Sequence, residues 1–126
     1  MDSGLVAFAT KSRKRTARAR ADRRYPARVA RQLALAHALQ RRVDDGEFAD
    51  YADMARALGF SRARITQMMD LLLLAPAIQE EILFLEVAPG AQPISERALR
   101  KVRKHIAWPA QQRAWAEILS SIRGVV

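Results

Sequence analysis

No cysteine occurs in the 126 residues, so neither a disulfide nor a thiolate metal site can form. Two histidines, His37 and His105, supply all the imidazole. Neither has a second histidine or a carboxylate at helical ligand spacing. Aromatic residues are 6% of the chain, few for a surface that grips single-stranded bases by stacking. The longest unbroken aliphatic run, Leu71 to Leu74, falls far short of the roughly 20 apolar residues of a membrane-spanning helix. Met1 to Thr10 lacks the basic-then-apolar order of a secretory signal. A cytoplasmic protein without a membrane partner is expected. Glycine-rich phosphate-cradling sequence is also missing, and Pro89-Gly90 is a turn. The carboxylates that do cluster, Asp44-Asp45-Glu47 and Glu80-Glu81, fall in a turn and on a solvated face. No catalytic site, metal, cofactor or small-molecule ligand is expected.

Acidic residues are scarce relative to basic ones, 13 against 22, leaving a formal charge of +9. Placement matters more than the total. Lys11, Arg13, Lys14, Arg15, Arg18, Arg20, Arg23 and Arg24 face only Asp22 within residues 11–24. Eight bases minus one acid put +7 of the +9 there. Such a block repels itself and lacks core-forming residues, so residues 1–24 are expected to be a disordered basic arm. Cations near a duplex release condensed counterions, which suits the arm to phosphate. A solubilising tail would have the same composition, and RNA or an anionic membrane would attract it equally.

Residues 25–126 are expected to form one all-α domain of about six helices. Pro26 suits a first helical position, and Val29, Leu33, Ala36, Leu39 and Val43 recur at helical steps up to the Asp44-Asp45-Gly46 stop. Asp50 can cap a short helix to Leu58, with Gly59 ending it. Ser61 can cap a third helix reaching about Leu74, its inner face Ile65, Met68 or Met69, and Leu72. Pro76 to Leu85 follows, with Ile78, Ile82 and Leu85 inward. The stretch Val87 to Pro93 reads as a loop. Ser95 can cap a fifth helix with Leu99, Val102 and Ile106 inward, and a sixth runs from Pro109 to about Arg123, burying Trp115, Ile118, Leu119 and Ile122. Trp108 is expected in the core with Trp115.

Residues 51–73 carry the pattern of a helix-turn-helix. Two short helices that cross closely need a small residue at the crossing and a residue tolerant of positive φ at the turn. Ala55 and Gly59 fill these places, and Ile65 and Met68 follow Gly59 by six and nine residues. Met54, Leu58 and Phe60 complete the expected packing. Arg62, Ala63, Arg64, Thr66 and Gln67 then lie near the amino end of the second helix, the end that enters the major groove in this motif. Arginine can fork onto guanine, glutamine can pair with adenine, and alanine or threonine methyls can touch thymine. Ser61 and Tyr51 are expected phosphate contacts. These residue types are equally at home on a solvated helix face.

The run from Ser61 to Leu72, continued by Leu74-Ala75-Pro76 and Ile78-Gln79-Glu80-Glu81-Ile82, resembles the central DNA-binding domain of the ParB/KorB family. The similarity extends through Ile94-Ser95-Glu96-Arg97-Ala98-Leu99 and the helix holding Gln111, Gln112 and Ala116, covering about residues 27–122. It implies a helical domain whose later helices brace the motif and add phosphate or base contacts through Arg97, Arg100, Lys101 and Lys104. The basic arm stands where that family has a nucleotide-binding domain, and the family's carboxy-terminal dimerisation domain is not expected. The resemblance therefore implies DNA binding without nucleotide hydrolysis, clamp sliding or a partition role.

Sequence-specific recognition of double-stranded DNA by the helix at Ser61 is the expected function, transcription control its default role. An accessory protein of recombination or segregation would need the same reader. RNA or general polyanion binding through the arm, and a protein adaptor on a helix-turn-helix that no longer reads DNA, are the competing functions. One such motif reads few base pairs, so a homodimer on an inverted repeat is expected. The last helix, with Val125-Val126, is the candidate interface.

Overall fold

The computed structural model describes residues 23–125. Six α-helices carry most of them: α1 (Arg28–Asp44), α2 (Tyr51–Leu58), α3 (Arg62–Met69), α4 (Pro76–Leu83), α5 (Glu96–Arg103) and α6 (Trp108–Val125). A 3₁₀ turn, Asp70–Leu73, joins α3 to α4. The domain is all-α, apart from a minimal antiparallel pair of strands, β1 (Tyr25–Pro26) and β2 (Glu86–Val87), in register Tyr25 with Val87 and Pro26 with Glu86. Among the described residues no helix is long and apolar enough to cross a membrane. The basic arm falls outside the described residues, except for Arg23 and Arg24, which are exposed.

Helix α1 is the spine, because its apolar stripe runs its whole length and feeds two cores. Val29, Ala30 and Leu33 from its first half pack with Leu71, Leu74, Ile78, Ile82, Leu99, Val102 and Trp115. Ala36 and Leu39 from its second half pack with Met54, Ala55, Ile65, Met68 and Met69. Leu72 touches both groups. The α2–α3 pair thus sits on one half of α1, and α4, α5 and α6 gather on the other.

Several expected boundaries shift, each for a local physical reason. Pro26 is in β1 rather than α1, and Ala27 N–H donates to Leu85 O. Proline has no N–H to lose, so an edge strand suits it as well as a first helical turn. The α1 N-terminus is finished from far away, by Gln92 Oε1 accepting from Arg28 N–H at 2.9 Å. Val87 is buried in β2 instead of looping freely. Helix α3 stops at Met69 and the chain continues as the 3₁₀ turn, after which Leu74 and Ala75 are extended (ψ 149° and 140°), as the residue before Pro76 must be.

Three expected core residues are at the surface. Ile106 is 96% exposed because α5 ends at Arg103, leaving it in the corner before α6. Trp108 opens α6 and is 55% exposed, while Trp115 two turns later is buried with its indole N–H donating to Glu81 Oε2. Phe60, in the turn after Gly59, is exposed rather than packed.

The joint between α3 and α4 leaves carbonyls without helical partners, and two glutamines answer them. Gln79 Nε2 donates to Leu72 O and Leu74 O, and His37 lies 2.7 Å from its Oε1. Gln111, the one buried polar side chain among the described residues, accepts from Ala75 N–H at 2.7 Å and donates to Leu73 O and His105 O. These bonds tie α1, α4, α6 and the α5–α6 corner to the joint that ends α3.

Candidate nucleic-acid interface

Helix α2 starts where Asp50 Oδ1 accepts from Asp53 N–H at 2.8 Å. It ends at Gly59, whose φ of +76° only glycine adopts without strain. The chain turns at Phe60, and Ser61 Oγ accepts from Arg64 N–H to open α3. Ala55 is buried where α2 meets Ile65, Met68 and Met69 of α3, as its small size requires. Every α3 residue that anchors the helix lies on one side.

The other side is free. Arg62, Ala63, Thr66 and Gln67 are exposed, and helical spacing puts Ala63, Thr66 and Gln67 at its centre, with Arg62 and Arg64 on opposite edges. Helix α3 contains no acid, and Arg62 has no partner among the described residues. Arg64 differs from the rest. Its Nη1 is 2.8 Å from Glu96 Oε1 in the first turn of α5, and its side chain is 35% exposed. Asp70, just beyond α3, is held by Arg103 at 2.9 Å. Glu96 and Asp70, the carboxylates beside Arg64 and just beyond α3, are therefore each matched by a cation.

The flanking basic residues divide between two sides of α5. Arg97 and Lys101, one turn apart, line a groove against α6 whose floor includes Val102, Ala114 and Ile118. Arg100 lies one turn after Glu96, next to the side that meets Arg64, while Lys104, the C-cap of α5, falls at nearly the same angle as Arg97. The four cations expected to act together are thus not equivalent in position relative to α3. Tyr51 stands apart, at the start of α2, its hydroxyl donating to Gln40 Oε1 of α1 at 2.6 Å. Glu96, Gln79 and Gln111 stand in the stretches that carry the family resemblance, but composition and spacing give them no functional part. Their partners lie on other elements, so nothing in the local pattern marks them.

No protein-family model, no curated protein and no solved structure matches this chain.

Proposed function

We propose that the chain binds double-stranded DNA and reads sequence with α3 in the major groove. The observation that carries this is the sidedness of α3: one side wholly committed to the core, the other offering Arg62, Ala63, Thr66 and Gln67 with no carboxylate among them. A capped, rigid helix presenting forked donors, an amide and methyl groups matches what base edges in the major groove require. Arg100 flanks it as a phosphate contact, Arg97, Lys101 and Lys104 lie further round α5, and the cations of residues 11–24 add sequence-independent attraction. A domain of the ParB/KorB type accounts for the same set of residues. The role we assign is transcription control, with recombination or segregation of a mobile element as the alternative, decided by mapping the bound sites in the native genome.

The test is binding to random duplex, random single strand and RNA at two salt concentrations, followed by selection of preferred duplexes. A selected duplex should be preferred over random DNA at physiological salt, and sedimentation should show two copies on an inverted repeat. A chain that binds every duplex alike has no base-reading helix.

One observation favours a second function. Trp108 is exposed, and a basic chain with an exposed indole can stack on single-stranded bases. Tighter binding to single strand or RNA than to any duplex, lost in Trp108→Ala, would replace DNA reading with that function.

A further inference from the structure

Glu96 has more partners than a surface carboxylate needs. It sits in the first turn of α5, where the helix dipole favours an anion, behind Ser95 Oγ capping Ala98 N–H. Its Oε2 accepts from Gln32 Nε2 of α1 at 3.2 Å, and its Oε1 accepts from Arg64 Nη1 at 2.8 Å. Three helices meet at this carboxylate, and its side chain is 18% exposed. Arg64 is thus a long side chain on the edge of α3 held by an acceptor that is itself held. The remaining guanidinium donors have no partner among the described residues, and a guanidinium offers five N–H in one plane.

We propose that Glu96 is a positioning residue that converts Arg64 from a phosphate-seeking cation into a guanine reader. This rests on α3 being the DNA-reading helix. Two physical effects combine. An unrestrained arginine loses much rotamer freedom on binding, whereas one already fixed by a carboxylate has lost it beforehand. The carboxylate also offsets the guanidinium charge, which weakens attraction to any phosphate while leaving the fork free to meet guanine O6 and N7. Glu96 therefore raises the ratio of specific to random binding without touching DNA.

The experiment measures the full chain, and its Arg64→Ala, Glu96→Ala, Glu96→Gln and double Arg64→Ala/Glu96→Ala forms, on a selected duplex, on that duplex with each base pair replaced in turn, and on random duplex. Arg64→Ala should lower discrimination about tenfold at one G·C pair. Glu96→Ala should lose discrimination at that same pair while binding random duplex as tightly as the unaltered chain or more tightly, and the double substitution should add nothing there. Glu96→Gln, which keeps the shape and the acceptor toward Gln32, should fall between and melt close to the unaltered chain. Glu96→Ala and Glu96→Gln that both keep full discrimination at the Arg64 pair overturn the positioning role, with α3 still the reader. An equal loss on specific and random DNA makes Glu96 merely structural and overturns it too. Failure of Arg64→Ala to affect any single pair removes the guanine contact itself. If the unaltered chain prefers no duplex, the DNA-reading function falls, and this role falls with it.

Discussion

Replacing Gln111 with leucine should destabilise the fold more than any single change on the outer side of α3. Leucine fills most of the same volume, so the cavity term is small and the loss is almost entirely polar. Three backbone groups lose a partner: Ala75 N–H at 2.7 Å, His105 O at 2.9 Å and Leu73 O at 3.2 Å. The Ala75 bond is buried, and an unmet buried donor costs about 1–3 kcal/mol. The two carbonyls are only partly buried, so water can recover some of their bonding, leaving about 0.5–1 kcal/mol each. The total, about 3 kcal/mol, is a large fraction of the roughly 5–15 kcal/mol that holds a domain of this size. Urea unfolding followed by far-UV circular dichroism should show a midpoint lower by about 1–3 M at unchanged slope, and thermal unfolding a fall of roughly 10–20 °C. Gln111→Glu should be at least as damaging, since it turns a carboxylate oxygen toward two carbonyl oxygens. Gln112→Leu, one residue along and exposed, is the control. A Gln111→Leu loss below about 1 kcal/mol, or one equal to the Gln112 control, would show that the joint after α3 is held by packing and not by this amide.

Gly59→Ala should cost about 1–2 kcal/mol of stability from left-handed backbone strain alone, because a Cβ there would meet nothing within 4 Å; Gly59→Asn should cost less, and equal melting temperatures for all three would contradict the assigned strain. Ser61→Ala should lower stability by about 1 kcal/mol through loss of the α3 cap, with sequence preference retained in the folded fraction, as urea titration and competition binding can show. Deleting residues 1–24 should flatten the salt dependence of DNA affinity and weaken specific and random duplex alike, whereas Gln67→Ala should relax preference at one base pair by about 1–3 kcal/mol; equal salt slopes with and without the segment would remove its role in attraction.

Which parts of this molecule are legible in its sequence follows from the range of the interactions involved. Helix ends are local, and Asp50, Gly59, Ser61 and Ser95 each mark a boundary that the structure keeps. The apolar stripe of α1 is local too, since residues three and four apart share a side. The strand pair is not: a two-residue ladder between Tyr25–Pro26 and Glu86–Val87 leaves no alternation to detect. Ile106 misleads for a related reason, because it continues the Leu99–Val102 spacing past the point where α5 ends, while Trp108 stands in the open first turn of α6.

The same distinction separates what the sequence says of the candidate interface from what only the fold adds. Arg62, Ala63, Thr66 and Gln67 follow from spacing, since one turn of helix decides which side they take once Ile65 and Met68 are inside. Arg64 belongs to that list by spacing and departs from it by contact, because its partner is 32 residues away on another helix. That contact depends on α5 lying beside α3, where Leu99 and Val102 pack with Leu71 and Leu74 and where Gln111 and the Asp70–Arg103 pair hold the joint at Asp70–Ala75. Damage to the joint should therefore reach base discrimination at the Arg64 position before it reaches Gln67, whose placement needs only the packing of α3 on α1 and α2. A mild joint variant, Arg103→Lys, offers that comparison: selective loss at the Arg64 base pair at a temperature where the chain stays folded supports the chain of dependence, and uniform loss across all pairs refutes it.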